Sequence, residues 1–336
     1  MRVILVLLFF LSKVFISQRT STYIEQNKGV QARVGACDME KEVYQFLPQL
    51  LQKACDAQET LAQELTEIHF RIHQPVLCLT AQKEYAVTRR GRFCAMPGPG
   101  FRDDLFCISD SQMEVILDQV MQYSMYAYQG QLKNGYLMLP GGNRLGVMGE
   151  AIYTPQTGCQ FRNITFLTLR LRHEVVGCGQ RLVNSFRKQE GFRNTLLVSP
   201  PGCGKTTLLR DMVRLLSDQG YRISLIDERG EVAACYQGVP QLDVGCRTSV
   251  LTGCIKSYGM ELAIRSMAPQ IVAADEIGSR EELNMLEYAI HSGCGLLCTM
   301  HGQDMEDVKR KGIRFFERMI FLSKSGGEFR YEVVNV

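Results

Sequence analysis

The sequence predicts an α/β chain whose second half is a parallel, doubly wound sheet with flanking helices, preceded by a smaller α/β domain. Three observations carry this reading. A short apolar strand, Thr195–Val198, runs into the stretch Ser199-Pro-Pro-Gly-Cys-Gly-Lys-Thr-Thr207 and on into a helical pattern. A second apolar run, Ile271–Ala274, ends in the acidic pair Asp275-Glu276. Around both, strands alternate with helices, the order that a parallel sheet with crossover helices requires.

The first stretch reads as a phosphate-binding loop. The consensus is Gly-x-x-x-x-Gly-Lys-[Ser/Thr], and Gly204, Lys205 and Thr206 fill its distal half while Ser199 stands at its first glycine. Ser199, Pro200, Pro201, Gly202, Cys203, Gly204, Lys205, Thr206 and Thr207 are therefore the candidate nucleotide-binding residues. Residues with little side chain let backbone N–H groups curl round phosphates, and a helix N-terminus adds its positive end. Lys205 is expected to reach the β- and γ-phosphates, the Thr206 hydroxyl to ligate Mg²⁺, and Thr207 to meet the α-phosphate. The same helix end lowers thiol pKa values, so Cys203 is expected to be open to alkylation. Plain loop punctuation is the alternative, and a Gly-Lys-Thr triplet directly behind an apolar strand argues against it.

With 336 residues and 46% hydrophobic content the chain can bury full cores in two domains. A balance of 38 basic against 35 acidic residues gives no argument for nucleic acid. Thirteen cysteines, an odd number and without a Cys-x-x-Cys pair, fit a reducing compartment rather than a disulfide framework. Cys294 and Cys298 bracket a buried-looking strand and read as core residues, so no structural zinc is expected.

At the start, Met1–Ile16 carries an apolar run, Val3–Leu11, too short to span a bilayer and without an Ala-x-Ala cleavage site. Two readings stay open for residues 1–38: a peripheral membrane anchor, or an extension ahead of a true start at Met39. The lack of periodic pattern in this stretch favours the second.

The smaller domain is placed at 39–175. Val43, Phe46, Leu47, Leu50 and Leu51 recur at helical spacing, with a second helix through Leu61 and Leu65. Strands follow at Ile68–His73, Pro75–Leu79, Tyr85–Val87 and around Phe93. His69 and His73 share a strand face and, without a third ligand, read as exposed histidines. Ser109 caps a helix whose stripe Val115, Ile116, Val120, Met121, Met125 runs to Gly130. Gly135–Leu139 and Arg144–Met148 form a hairpin round Pro140–Asn143, and Thr165–Leu171 closes the domain. The boundary is set between Glu174 and Phe192, giving a second domain at 176–336.

In that domain Leu208–Leu216 continues the loop helix and Gly220 ends it. The strand Arg222–Ile226 delivers Asp227-Glu-Arg-Gly-Glu231 to the sheet's carboxyl edge, where ligands bind in open α/β sheets. A carboxylate there, Glu228 being the one nominated, is placed to position water; a solvated turn is the alternative. Met260–Met267 reads as a helix with Arg265 near its end. Asp275 is expected to hold Mg²⁺ through water or Thr206, and Glu276 to polarise the attacking water. After the helix Glu281–Ile290, the strand Gly295–Met300 ends in His301-Gly302, so Thr299 or His301 is expected to face the γ-phosphate, a structural histidine being the alternative. Arg318–Leu322 and Phe329–Val334 form a terminal hairpin round a Ser-Lys-Ser-Gly-Gly turn.

From about Met39 to Val336 the chain resembles the stage III sporulation protein AA family, ATPases of endospore-forming bacteria related to type II and type IV secretion ATPases. The resemblance rests on the loop Ser199–Thr207, Asp227–Glu231, Gly245-Cys-Arg-Thr-Ser-Val-Leu-Thr-Gly-Cys254, Ile264–Met267, Ala274–Gly278 and the Tyr136–Gly149 hairpin. It implies a RecA-like P-loop NTPase core of the ASCE type that uses ATP and Mg²⁺. It further implies a cytosolic homo-hexameric motor, peripheral at the mother-cell side of the forespore envelope, whose partners are membrane-embedded components of a channel complex. Asp227–Glu231 would correspond to the acidic box of secretion ATPases and His301 to their histidine box, while Arg247 and Arg265 look like arginines acting in trans. The family pattern has glycine where Ser199 stands, and a small residue still fits that position. Two rivals remain at this point, a motor on single-stranded nucleic acid and a nucleotide-gated scaffold. The first calls for a basic, aromatic stacking platform that the sequence does not display.

Overall fold

The structure, a computed structural model, describes residues 22–25, 33–34, 41–96, 103–122, 128–133, 135–156, 158–186, 191–325 and 328–336. The readings at Met1–Ile16, Met39, Met125 and the Gly326-Gly327 turn lie outside them. The chain divides into two compact units, one made of Val34–Glu174 with Ala234–Leu242, the other principally of Val175–Ala233 and Asp243–Val336. No helix of the described residues is long and apolar enough to cross a membrane.

The smaller unit holds an antiparallel sheet in the order Phe93–Ala95, Glu84–Val87, Leu77–Thr80, Leu65–Arg71, Gly158–Arg170, Arg144–Thr154, Tyr136–Met138. Leu65, Ile68 and Phe70 are buried from its central strand and pack with Leu51 and Ala54 of helix Gln49–Ala57 and with Met113 and Ile116 of helix Asp110–Val120. Each of these side chains larger than Ala54 contributes about 1.5–3 kcal/mol on burial.

Four expectations are corrected here. The N-terminal region holds helices at Lys41–Gln45, Gln49–Ala57 and Glu59–Gln63, and Leu65 belongs to the following strand. A bulge between Leu65 and Glu67 breaks the alternation there, which is how Leu65 came to fit a helical spacing instead. The helix capped by Ser109, with Gln112 closing a capping box, stops at Val120, and Gln122 turns left-handed at φ 48°. His69 and His73 do not share a strand face as exposed residues. His69 sits between Glu67 (2.8 Å) and Arg71 (2.9 Å) with its side chain 18% exposed. His73 lies past the strand at φ 60° and pairs with Asp110 at 2.8 Å. Finally, the hairpin strands extend to Thr154 and back from Gly158 with register shifts at Met148/Gly149 and Glu150/Ala151. At the first shift a Cβ on Gly149 would run into the Asn163 carbonyl, so the close approach needs glycine.

In the larger unit eight described strands form one sheet, in the order Thr22–Glu25, Glu328–Asn335, Arg318–Ser325, Thr195–Ser199, Gly295–His301, Ile271–Ala274, Ile223–Asp227, Thr248–Thr252. From Arg318–Ser325 to Thr248–Thr252 every pair is parallel, and Glu328–Asn335 and Thr22–Glu25 add on antiparallel. Thr195–Ser199, Ile223–Asp227 and Ile271–Ala274 are buried at every position, which is why Leu196–Val198 and Ile271–Ala274 read as unbroken apolar runs. On one face Val198, Val272, Leu296 and Met300 pack with Met260 and Ala263 of helix Lys256–Met267 and Leu286 and Ala289 of helix Arg280–His291. Cys294 and Cys298 belong to this core, and burial pushes the Cys298 thiol up to about 12. The sequence pattern marks neither edge strand, Thr22–Glu25 nor Thr248–Thr252.

Registers of Ser199 with His301, Cys298 with Ala274, Ala274 with Ile226 and Asp227 with Thr252 bring the ends of five strands and the phosphate loop to one carboxyl edge.

Candidate nucleotide site at the carboxyl edge

Lys205 opens the helix Lys205–Asp218, and Gly204 is its N-cap at φ 80° with no side chain capping the first turn. Together with Gly202 at φ 75°, it puts the loop into left-handed turns that an L side chain resists. The free first-turn N–H groups and the helix dipole suit an anion. Ser199 ends the preceding strand, buried, and its hydroxyl donates to the Pro200 carbonyl at 2.8 Å. Cys203 is buried in the loop, at 8% exposure.

The Lys205 ammonium is buried and donates to the carbonyls of Ser199 (3.1 Å) and Pro200 (3.3 Å) and to His301 Nδ1 (3.0 Å). Burial draws its pKa below the usual lysine value, against the attraction of Asp275 and Glu276. Thr206, one residue on, donates from Oγ1 to Asp275 Oδ2 at 2.8 Å. The other Asp275 oxygen accepts from Thr299 Oγ1, which itself accepts from the Glu276 N–H at 2.8 Å. One fully buried threonine on the intervening strand thus orients both acidic residues.

Glu276 occupies the left-handed region at φ 54°. Its carboxylate meets His301 Nε2 at 2.8 Å and accepts from Arg229 Nη1 at 2.9 Å. Burial pushes this carboxyl up, yet His301, Arg229 and Lys205 outweigh it and hold the pKa below the usual value. With the lysine donating to Nδ1, the His301 ring carries its proton on Nε2, facing the glutamate.

Around this lie Arg229 and Lys256, which carry no role of their own in the sequence reading, and Asp227 of the acidic stretch. Arg229 reaches Glu276 from inside the acidic stretch. Lys256, buried, donates to the carbonyls of Asp275 (3.2 Å) and Glu276 (2.8 Å) and pairs with Glu282 (3.2 Å) and Glu228 (3.5 Å). Asp227 accepts from the N–H groups of Glu231 (2.9 Å), Val232 (3.1 Å) and Ala233 (2.8 Å), which makes it the clamp of its own turn. Burial raises its pKa, opposed by those three donors.

The nominated residues do not all gather. Ser199–Thr207, Asp275, Glu276 and His301 meet at the carboxyl edge, with Glu228 nearby on Lys256. Arg247 lies at the opposite edge, its carbonyl accepting from Ile223 N (3.0 Å) and its guanidinium on the Ser217 carbonyl (3.3 Å). Arg265, in the last turn of its helix, pairs with Glu261 at 2.8 Å and is 68% exposed. Among the described residues no group of three or more His, Cys, Asp or Glu is arranged to hold a metal ion. A hydroxyl and one carboxylate, Thr206 and Asp275, do suit Mg²⁺, which keeps several of its waters.

A phosphate loop on one central strand, an Asp-Glu pair on the strand next but one, and a histidine on the strand between them define a RecA-like P-loop core. The pilus retraction motor PilT with bound ADP aligns with a TM-score of 0.55 at 14% identity, covering 86% of this chain and 83% of that one. The Legionella pneumophila ATPase DotB aligns at 0.51 and 15% identity, covering 84% and 78%. Both likenesses concern the fold. Residues 37–333 match the model of the family described as sporulation stage III, protein AA, and the chain belongs to that family. Stage III sporulation protein AA of Bacillus subtilis (strain 168) is 32% identical over 300 residues, 85% of this chain and 92% of its own.

Proposed function

We propose that the protein is an Mg²⁺-dependent ATPase working as a motor in the assembly of, or transport through, the mother cell–forespore channel complex. The observation that carries this is the bonded series Thr206–Asp275–Thr299–Glu276, which ties a metal-suited oxygen pair to a carboxylate beside the phosphate loop. The loop N–H groups and helix N-terminus bind the phosphates, and Lys205 exchanges its contacts with Ser199 and Pro200 for phosphate oxygens. Thr206 and Asp275 would hold Mg²⁺, which when bound offsets charge on the transferring phosphoryl group. Glu276 takes a proton from the attacking water as the β–γ anhydride bond breaks and ADP leaves. His301 links Lys205 to Glu276, so occupation of the lysine by phosphate is felt at the carboxylate.

Arg247 bonds the Ser217 carbonyl and Arg265 pairs with Glu261, neither of them on its own loop, which supports their acting on the site of a neighbouring subunit in a homo-hexamer. The motor would work in the cytoplasm against membrane-embedded partners of the complex. The test is phosphate release by purified protein with ATP, with and without Mg²⁺ and single-stranded DNA. Turnover that needs Mg²⁺ and ignores DNA is expected. Strong stimulation by DNA would favour a nucleic-acid motor, and binding without turnover a nucleotide-gated scaffold.

A further inference from the structure

Lys256 stands at the start of helix Lys256–Met267, and its side chain is 10% exposed. Its ammonium has three protons to donate. Glu276 O at 2.8 Å, Asp275 O at 3.2 Å and Glu282 Oε1 at 3.2 Å take them, with Glu228 Oε2 beyond at 3.5 Å. Glu282 is itself fixed, its Oε2 accepting from the N–H groups of Gly278 (2.7 Å) and Ser279 (2.8 Å) in the capping box of helix Arg280–His291. One cation therefore ties together the acidic pair, the turn after it, the next helix start and the end of strand Ile223–Asp227.

What this cation holds is unusual backbone. Glu276 has φ 54°, a conformation that a non-glycine residue keeps only where its surroundings fix it. The fixing groups lie on both sides of the residue: Thr299 Oγ1 on its N–H and Lys256 on its carbonyl. In this conformation the carboxylate points at His301 and Arg229, beside the phosphate lysine. An apolar residue in place of a buried ion pair is often as stable, so fold stability alone is a poor reason for a lysine with two carboxylates here.

We infer that Lys256 is a positioning residue for Glu276, and that Glu228 and Glu282 serve as its counter-ions instead of touching substrate. The inference rests on the hydrolysis reading above and adds to it the group that sets the base's aim.

The experiment measures kcat and ATP affinity separately in Lys256→Met, Glu228→Gln and the double variant Lys256→Met/Glu282→Gln. The double variant removes lysine and counter-ion together, so it decides the matter if the single one does not fold. Loss of Lys256 is expected to lower kcat about 100-fold, the usual effect of misplacing a catalytic group by an ångström, while ATP affinity stays within a few-fold. Glu228→Gln, which removes the longer of the two counter-ion contacts, is expected to lower kcat by no more than a few-fold. Folded Lys256 variants with wild-type kcat, or with kcat and affinity falling in parallel, would overturn the inference. A collapse of kcat in Glu228→Gln would do so too, returning that carboxylate to the water. If the wild-type protein shows no turnover while binding ATP, the hydrolysis reading itself fails, and this inference with it.

Discussion

Thr299→Val removes one hydroxyl from the centre of the site and keeps the shape of the side chain. The residue is fully buried on strand Gly295–His301, donates to an Asp275 oxygen and accepts from the Glu276 N–H at 2.8 Å. Losing a hydrogen bond to a charged group costs about 1.5–3 kcal/mol, and a buried N–H left unpaired about 1–3 more. The sum, about 2.5–6 kcal/mol, is a large part of the roughly 5–15 kcal/mol that holds a domain together. Chemical denaturation followed by far-UV circular dichroism should show it as a lower midpoint with an unchanged slope. Hydrolysis should fall about 100-fold in the fraction that is folded, because Asp275 and Glu276 lose their common support. Thr299→Ser keeps both hydrogen bonds and gives up a buried methyl worth about 1 kcal/mol, so it should stay active. A valine variant as stable as the serine variant, and hydrolysing ATP at the wild-type rate, would refute the reasoning.

Gly245→Ala should lower stability by about 2–4 kcal/mol in a denaturation midpoint, since φ is +83° and the new Cβ would meet the Ser217 side chain and the Arg214 carbonyl at 3.0 Å. Glu276, with its folded pKa below the ordinary 4.5, contributes stability above that pH and loses it as pH falls through the lower folded value. Acid inactivation near neutrality should therefore not trace to Glu276, and Glu276→Gln should leave the acid limb of unfolding above pH 4.5 in place. Buried Lys205 is shifted downward: its charged form costs stability in full below the lowered folded value, and the cost fades as pH rises from there to the ordinary 10.5. The alkaline limb of kcat/KM should accordingly fall below 10.5, and a limb at or above 10.5 would contradict this. Arg265→Ala subunits should change stability by less than about 0.5 kcal/mol and be inactive alone, yet regain turnover when mixed with Glu276→Gln subunits; inactive mixtures would remove the arginine from a neighbour's site.

The central strands were legible because parallel strands buried on both faces spell out their apolar runs, as Leu196–Val198 and Ile271–Ala274 do. Thr248–Thr252 was not, since an edge strand that is half exposed has no such run. Beyond Met148 the hairpin is exposed on both faces, so no alternation marks it. Met121 continued an apolar stripe, and only the left-handed Gln122 behind it ended the helix. At the site, the loop and the Asp275-Glu276 pair stand in the sequence as contiguous motifs. Lys256 could not be seen that way: a lysine opening a helix reads as solvated, and its meaning comes from partners 19 and 20 residues on. Arg229 reaches Glu276 across 47 residues, a pairing that only the sheet order creates.

In the proposed mechanism Lys205 and Glu276 divide nucleotide binding from hydrolysis between them. ATP affinity and single-turnover phosphate release should be measured side by side for wild type, Lys205→Ala and Glu276→Gln. Lys205→Ala is expected to lose nucleotide binding. Glu276→Gln is expected to bind ATP as wild type does and to cleave it at least ~100-fold more slowly, the low end of what a general base supplies. Cleavage by Glu276→Gln at the wild-type rate, or an equal loss of binding in both variants, would contradict that division.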